Sequence, residues 1–224
     1  MREVGIELIH APDTYALTSN LPNWYPLLKD VTPRSIWFED YPTIAQVEAF
    51  ASWPIFVKGE RQTNRHRTDQ CVIESPDHFL QLRTAWVNEP VLAWQRVVCR
   101  EFVPLRRVVK DSSKQLAGSF EFRCFCWRGE CVGLGPYWTS ECYSLTEDER
   151  EKVINLAQIV AGRIDAIFLV VDIAQAESGD WIVIEINDAQ DSGYAGVAPL
   201  PLWRRIIDIE LSHPREVTLP RDAP

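Results

Sequence analysis

The sequence has little that would place it in a membrane. Its longest unbroken run of aliphatic and aromatic residues, 166–171, is about a third of the length needed to cross a bilayer. Glu3 and Glu7 interrupt the opening segment, where a secretory signal needs a continuous apolar stretch, so no targeting segment is predicted. Without such a signal, the six cysteines favour reduced thiols. We therefore expect a cytoplasmic protein with no membrane partner.

Basic residues are also few. The 23 lysines and arginines stand against 32 aspartates and glutamates, which gives a formal charge of −9. Affinity for nucleic acids comes mainly from neutralising phosphates, so general nucleic-acid binding is not expected. A local basic pocket for a small phosphate ligand remains open. The four histidines form no Ser/His/Asp pattern, and nucleophilic catalysis of that kind has no support.

Regular elements become clear from Trp53 onward. Apolar runs at 53–59, 69–75 and 94–105 predict strands, and 119–135 predicts a hairpin that turns at Arg128-Gly129. The caps predict helices after Ser75, which precedes a proline, and after Thr146, which forms a capping box with Glu149. A last hairpin, 166–187, and a short helix, 201–211, follow. Hairpins outnumber strand–helix–strand crossovers, so we predict an α+β fold with mainly antiparallel sheets.

The last hairpin carries the most informative residues. If Ser178-Gly179 is a two-residue loop, Asp172 lies directly opposite Glu185, with Cβ atoms roughly 4.5–5.5 Å apart. Asn187 lies two residues further along the same face. Two ionised carboxylates in an apolar wall repel each other, which a shared proton, a paired cation or a divalent metal would resolve. An all-oxygen set suits Mg²⁺ or Mn²⁺ better than zinc. Alternatively, the strands are half exposed and the carboxylates face water.

Three further residues suggest a phosphate ligand. Lys58 ends a buried strand just before the polar, partly basic loop 60–68, from which it could reach a phosphate as a point charge. The alternative is an ordinary solvated loop. Arg123 lies inside a strand and needs an anion, either a ligand phosphate or a carboxylate such as Glu121. Glu101, at a strand end, could accept hydrogen bonds from a ribose or an amino group.

The cysteines allow one other interpretation. A structural zinc site could use Cys124, Cys126, Cys131 and Cys142, since two of these would face each other across the Arg128-Gly129 hairpin. Their spacing lacks the usual paired arrangement of zinc ligands. The alternative is that they are buried thiols acting as small apolar side chains.

In this order, the lysine strand, the loop, "REFVPL", the strand arginine and the Asp/Glu/Asn hairpin resemble the ATP-grasp superfamily. Its members hold ATP between two α+β lobes with antiparallel sheets. Four segments resemble a divergent clade related to the eukaryotic translation-initiation-factor assembly chaperone: "FVKGERQTNRH", "REFVPL", "GLGPYW" and "NDAQDSGYAG". The resemblance implies an abbreviated N-terminal region at 1–52, a small lobe at 53–104, a large lobe with the metal site at 105–213 and a tail at 214–224.

The resemblance also implies roles for individual residues in binding ATP. The triphosphate would be contacted by Lys58 and, from the following loop, by Arg65 or His66. Adenine and ribose would be held by Glu101, Phe102 and Val103.

The reacting end of the site is implied in the same way. Arg100 and Arg123 would face the γ-phosphate or an acyl-phosphate. One or two Mg²⁺ (or Mn²⁺) ions would be bound by Asp172, Glu185 and Asn187. The loop after the metal strand would approach the acceptor with Gln190, Ser192 and Gly193.

The function that follows is an ATP- and Mg-dependent carboxylate–amine ligase that acts through an acyl-phosphate, with a peptide or protein among the substrates it could modify. Its carboxylate and amine substrates are unknown. The alternative is an assembly chaperone that binds ATP without ligase turnover. Its partner surface could include Trp24, Tyr25, Trp37 and Tyr41, although packing in the core is the more usual fate of such side chains.

Overall fold

The computed structural model describes residues 8–61, 70–108 and 118–212. The helices are α1 (Pro12–Ser19), α2 (Leu21–Leu28), α3 (Ile44–Glu48), α4 (Pro76–Asn88), α5 (Glu147–Arg163) and α6 (Pro199–Ser212). The strands are β1 (Ser35–Phe38), β2 (Ile55–Gly59), β3 (Val72–Ile73), β4 (Val97–Glu101), β5 (Glu121–Trp127), β6 (Glu130–Pro136), β7 (Phe168–Gln175) and β8 (Trp181–Asp188). In these described ranges no helix is both long and apolar enough to cross a membrane.

The strands form two four-stranded sheets, in the orders β1-β4-β2-β3 and β6-β5-β7-β8. Every neighbouring pair of strands is antiparallel. This confirms the predicted α+β fold with antiparallel sheets. The chain passes from the first sheet to the second just after β4, where Leu105 bridges to Ala176 at the end of the last hairpin.

The predicted helix starts are confirmed by their caps. The Ser75 hydroxyl accepts a hydrogen bond from the amide of His78 at 3.2 Å. Thr146 and Glu149 form the predicted capping box, in which the Thr146 amide donates to the Glu149 carboxylate at 2.8 Å. Behind this cap, α5 buries Val153 and neighbouring small apolar residues in the core of the second sheet.

The first fifty residues contain more regular structure than their sequence indicated. Helices α1 and α2 have eight residues each, and both contain proline in their first turn. Such short segments show no extended helical repeat of apolar residues, so the sequence contained no signal for them. Leu21, Trp24 and Leu28 of α2 are nevertheless buried in the core of the second sheet. Strand β1 pairs with β4 and belongs to the first sheet. The domain boundaries remain predictions. Residues 8–52 nevertheless supply an edge strand to the first sheet and a helix that packs against the second.

The register of the last hairpin contains two departures that cancel. The hairpin closes through three residues, 177–179, rather than the predicted two, and Gly179 has a φ of 95°. Beside this loop, Gln175 faces Trp181, one residue out of the expected register. A β-bulge then places Ile184 as an extra residue on β8. Beyond the bulge Asp172 faces Glu185, so the predicted pair of acids is confirmed.

Candidate nucleotide and metal site

Each of the two facing acids has a cationic partner. Asp172 is 1% exposed, and its two carboxylate oxygens accept hydrogen bonds from Nε and Nη2 of Arg123 at 2.8 and 2.7 Å. Glu185 accepts a hydrogen bond from Nζ of Lys58. Of the three ways to relieve their repulsion, the structure therefore uses paired cations. The anion that Arg123 contacts is therefore the carboxylate of Asp172, where the sequence allowed a ligand phosphate or a carboxylate such as Glu121.

The pair formed by Lys58 and Glu185 joins the two sheets. Lys58 lies on β2, an inner strand of the first sheet, and Glu185 lies on β8 of the second. The Lys58 side chain is 3% exposed and that of Glu185 is 20% exposed. The site therefore lies between the sheets, which is where the predicted fold would hold a nucleotide.

Arg123 connects the acids to the loop that follows β8. Its Nη1 donates to the carbonyl oxygen of Gly193 at 2.7 Å, and its guanidinium lies 4.9 Å from the ring centroid of Tyr137. Burial disfavours the charged form of this guanidinium. The hydrogen bonds and charge of Asp172 outweigh burial and raise the pKa of Arg123, so the side chain remains a cation.

Arg100, a predicted phosphate contact, is engaged with protein oxygens. It donates to the hydroxyls of Ser35 and Thr32 at 3.1 and 2.7 Å, and to the carbonyl of the bulge residue Ile184 at 2.9 Å. Burial lowers the pKa of Arg100 to about 10, although the charge of Glu185 opposes that shift. Arg100 thus stays positive at neutral pH close to Glu185. Its contact with a phosphate remains a prediction.

A cavity of about 740 Å³ opens beside these residues, a size typical of small-ligand sites. The predicted residues that line it are Arg123, Glu185, Asn187, Ser192 and Gly193. Sequence reasoning missed other lining residues, among them Tyr15, Ser19, Trp94 and Tyr137. Tyr15, Ser19 and Trp94 have no sequence signal that links them to the site. Tyr137 follows β6 in "GLGPYW", one of the segments that carry the resemblance, but it was given no role.

The loop that carries the predicted acceptor residues is anchored by Asp188, which was not predicted. Asp188 is 3% exposed and accepts hydrogen bonds from Nδ1 of His10 at 2.9 Å and from the amide of Gln190 at 2.8 Å. Since Nε2 of His10 accepts from the amide of Phe168, the Nδ1 atom carries the proton of a neutral ring. The Ser192 hydroxyl donates to the Asp188 carbonyl at 2.7 Å.

The predicted adenine segment lies at the crossing between the sheets. Phe102 and Val103 are half-buried, while Glu101 is exposed and forms a 3.4 Å ion pair with Arg34. Their contact with adenine and ribose remains a prediction. Arg65 and His66 lie outside the described residues.

The acids and the amide fit a magnesium ion by their chemistry. Glu185 and Asn187 line the cavity with oxygen ligands, and Asp172 lies directly across from Glu185. Such donor sets suit Mg²⁺ together with phosphate oxygens.

The cysteine interpretation finds no such support. In residues 8–61, 70–108 and 118–212, no three His, Cys, Asp or Glu side chains are grouped to hold a metal ion. Cys124 and Cys126 are buried in the second sheet's core, whereas Cys142 is exposed.

Comparison with known protein families gives the class of protein. A family model described as "ATP-grasp domain, R2K clade family 3" matches residues 33–206. The match covers more than half of the chain, so the protein belongs to the R2K clade of ATP-grasp domains. A search of curated protein sequences found no match.

Solved structures with the same fold are ATP-grasp proteins. A RimK domain protein from Sphaerobacter thermophilus superposes with a TM-score of 0.63 at 15% identity over 94% of this chain and 74% of its own. D-alanine–D-alanine ligase from Bacillus anthracis, solved with ATP, has a TM-score of 0.60 at 14% identity over 89% of this chain and 68% of its own. The ligase PsnB, solved with a minimal precursor, has a TM-score of 0.56 at 16% identity over 92% of this chain and 65% of its own. At these identities the likeness establishes the ATP-grasp fold.

Proposed function

We propose that the protein is an ATP- and Mg-dependent carboxylate–amine ligase that acts through an acyl-phosphate in the cytoplasm. The observation that carries this proposal is the pair Asp172 and Glu185, with Asn187, beside a cavity between two antiparallel sheets. Membership of the ATP-grasp family and the ligases among its structural relatives support it. The precursor bound to PsnB makes a peptide one class of substrate to test first.

The proposed roles follow from charge and position. A substrate carboxylate would attack the γ-phosphorus with ADP as the leaving group, and an amine would then displace phosphate from the acyl-phosphate. A bound magnesium ion would supply positive charge to the phosphate oxygens. Glu185, Asn187 and Asp172 would hold that ion. Arg123, which stays protonated next to the cavity, would stabilise negative charge on the transferred phosphoryl group. Gly193, which Arg123 contacts, brings the acceptor loop to the same point.

Remaining assignments are part of the proposal. Lys58 would contact the α- and β-phosphates, as would Arg65 or His66 from the loop that follows it. Arg100 would act near the γ-phosphate, and Glu101, Phe102 and Val103 would hold the nucleoside. Gln190, Ser192 and Gly193 would face the acceptor.

The predicted resemblance to an initiation-factor assembly chaperone suggests a second candidate, which would bind ATP without turnover. One observation weighs against its predicted partner surface. Trp24 is 1% exposed, and Tyr25, Trp37 and Tyr41 pack against the two main cores. The aromatic residues that were candidates for a partner surface therefore pack within the protein itself.

The experiment measures Mg-ATP binding by calorimetry in the wild type and in Glu185→Gln, followed by ADP release with a panel of amino acids and peptides. We expect Glu185→Gln to weaken Mg-dependent ATP binding by at least about tenfold, because it removes one metal-binding charge. The matched control is Glu130→Gln, a half-exposed partner of Arg205 on the surface, which should bind as the wild type does.

Two results would contradict the proposal in different ways. Equal Mg-ATP affinity in the wild type and in Glu185→Gln would show that Glu185 does not bind the metal, and the proposed metal site would be wrong. Normal binding without ADP release across the panel, together with recovery of one stoichiometric protein partner, would favour the chaperone instead.

A further inference from the structure

Lys58 occupies an unusual position for a lysine. Its side chain is 3% exposed, and lysines are almost never buried to this extent without a partner. The backbone cannot move easily, because β2 is paired on both sides, with β3 and with β4. The chain leaving β2 is also held, since the amide of Arg61 donates to the Gln95 side chain at 2.8 Å. Only the four-carbon side chain is free to change its contact.

The oxygen that Lys58 contacts belongs to a carboxylate proposed to bind metal. Glu185 lines the cavity and accepts the Lys58 ammonium on Oε1. An ammonium and a magnesium ion compete for the same carboxylate lone pairs. Because the two cations also repel each other, they cannot both bind the same carboxylate oxygen tightly.

Charge balance at the site gives this competition a direction. Among the described residues, Asp172 and Glu185 carry two negative charges, and Arg123, Lys58 and Arg100, whose charge acts on Glu185, carry three positive charges beside them. A divalent cation that enters alone therefore finds no net negative charge from these five side chains. A nucleotide brings phosphate oxygens, which offer the ammonium another anionic partner and restore the balance.

We propose that Lys58 acts as an exchangeable cation, which neutralises Glu185 until a nucleotide phosphate draws the ammonium away and frees the carboxylate for metal. Lys58 is thus a positioning residue that couples metal binding to nucleotide binding. This inference rests on the proposed function, in that it takes Glu185 as a metal ligand. The coupling is reciprocal, so metal strengthens nucleotide binding by the same factor.

The test uses Mn²⁺ as the probe, with free ion measured by electron paramagnetic resonance at pH 8, with and without ADP. In the absence of ADP, Lys58→Met should bind Mn²⁺ about ten- to a hundredfold more tightly than the wild type, the equivalent of one charge-assisted hydrogen bond removed from competition. Lys58→Arg keeps a cation and should bind Mn²⁺ as weakly as the wild type. Lys152→Met, at an exposed position of α5, is the matched control and should also behave as the wild type.

The second part of the test measures the coupling itself. ADP should tighten Mn²⁺ binding strongly in the wild type and much less in Lys58→Met, where no ammonium competes for the carboxylate. A lysine with a purely structural role would instead give weaker Mn²⁺ binding in the variant under both conditions. Should Lys58→Met fail to fold, as judged by circular dichroism, Lys58→Gln carries the same expectation, because it also removes the competing positive charge.

The outcomes separate this inference from the proposed function. If Lys58→Met binds Mn²⁺ no more tightly than the wild type without ADP, the exchange is wrong, whatever the enzyme turns over. If Mn²⁺ binding tightens as expected but no acceptor gives ADP, the exchange stands and the ligase proposal fails.

Discussion

Removal of Arg123 tests how much its ion pair with the buried Asp172 contributes to the stability of the protein. Arg123 donates two hydrogen bonds to Asp172, and the two side chains are 10% and 1% exposed. In Arg123→Met an apolar side chain of similar length replaces that of Arg123, and the Asp172 carboxylate loses the two hydrogen bonds and the charge of the guanidinium. Removing one partner of a buried ion pair costs about 3–5 kcal/mol.

The same change has a visible thermal effect. At this chain length a loss of 1 kcal/mol lowers Tm by about 2–4 °C, so we expect Arg123→Met to lower Tm by roughly 6–20 °C. Urea denaturation followed by tryptophan fluorescence gives the free energy of unfolding directly. The control is Arg205→Met, which breaks a 3.1 Å pair with Glu130 whose side chains are 56% and 49% exposed, and which should cost less than about 1 kcal/mol.

A double variant identifies the cause of the loss. Combining Arg123→Met with Asp172→Asn removes the buried negative charge that Arg123 no longer neutralises, so the double variant should be about 1–3 kcal/mol more stable than Arg123→Met alone. If Arg123→Met costs no more than Arg205→Met, or if the double variant is the less stable of the two, the reasoning about this pair is refuted.

Two further predictions concern the parts of the fold that hold the site. A Cβ at Gly135 on β6 would lie 2.4 Å from the backbone of Gly196 in the acceptor loop, so Gly135→Ala should destabilise by about 1–3 kcal/mol in urea titrations. Gly162 lies in the last turn of α5, where an added Cβ would meet no atom within 4 Å beyond its chain neighbours and the backbone of its own helix, so Gly162→Ala should instead stabilise by up to about 1 kcal/mol. The opposite order of the two variants would contradict this packing. At the start of α5, burial raises the pKa of Glu149, but hydrogen bonds from Thr146 and Arg106 outweigh it and lower that pKa overall. The ionised carboxylate therefore adds stability above its ordinary titration range, and this stability is lost as the pH falls. Glu149→Gln should cost about 0.5–1 kcal/mol at pH 7 and almost nothing near pH 3, whereas a pH-independent loss would contradict the assignment.

The contact between Lys58 and Glu185 also decides how Glu185→Gln affects the stability of the ligand-free protein. If only the repulsion between Glu185 and Asp172 mattered, the variant would be more stable than the wild type. In the structure the variant would leave Lys58, 3% exposed, without its carboxylate partner, so we expect Glu185→Gln to be destabilising. Its binding data therefore require the folded fraction to be measured alongside.

From Trp53 onward, local sequence determined most of the helices and strands and one pair of facing residues. Ser75 and the Thr146–Glu149 capping box mark helix starts, because a cap acts within one helical turn. The alternation of strand residues and a single turn sufficed to place Asp172 opposite Glu185. That success depended on a three-residue loop and a bulge at Ile184 that compensate each other, and neither has a clear signal in the residues themselves.

Tertiary structure alone decided the electrostatics of the site. Lys58 and Glu185 are 127 residues apart, and His10 and Asp188 are 178 apart. Sequence patterns show that a buried cation or acid needs a counter-charge, but they do not say which one, since several candidates satisfy the same requirement. The packing of the two sheets selects the partner, because only the side chains that meet across them are close enough to neutralise each other.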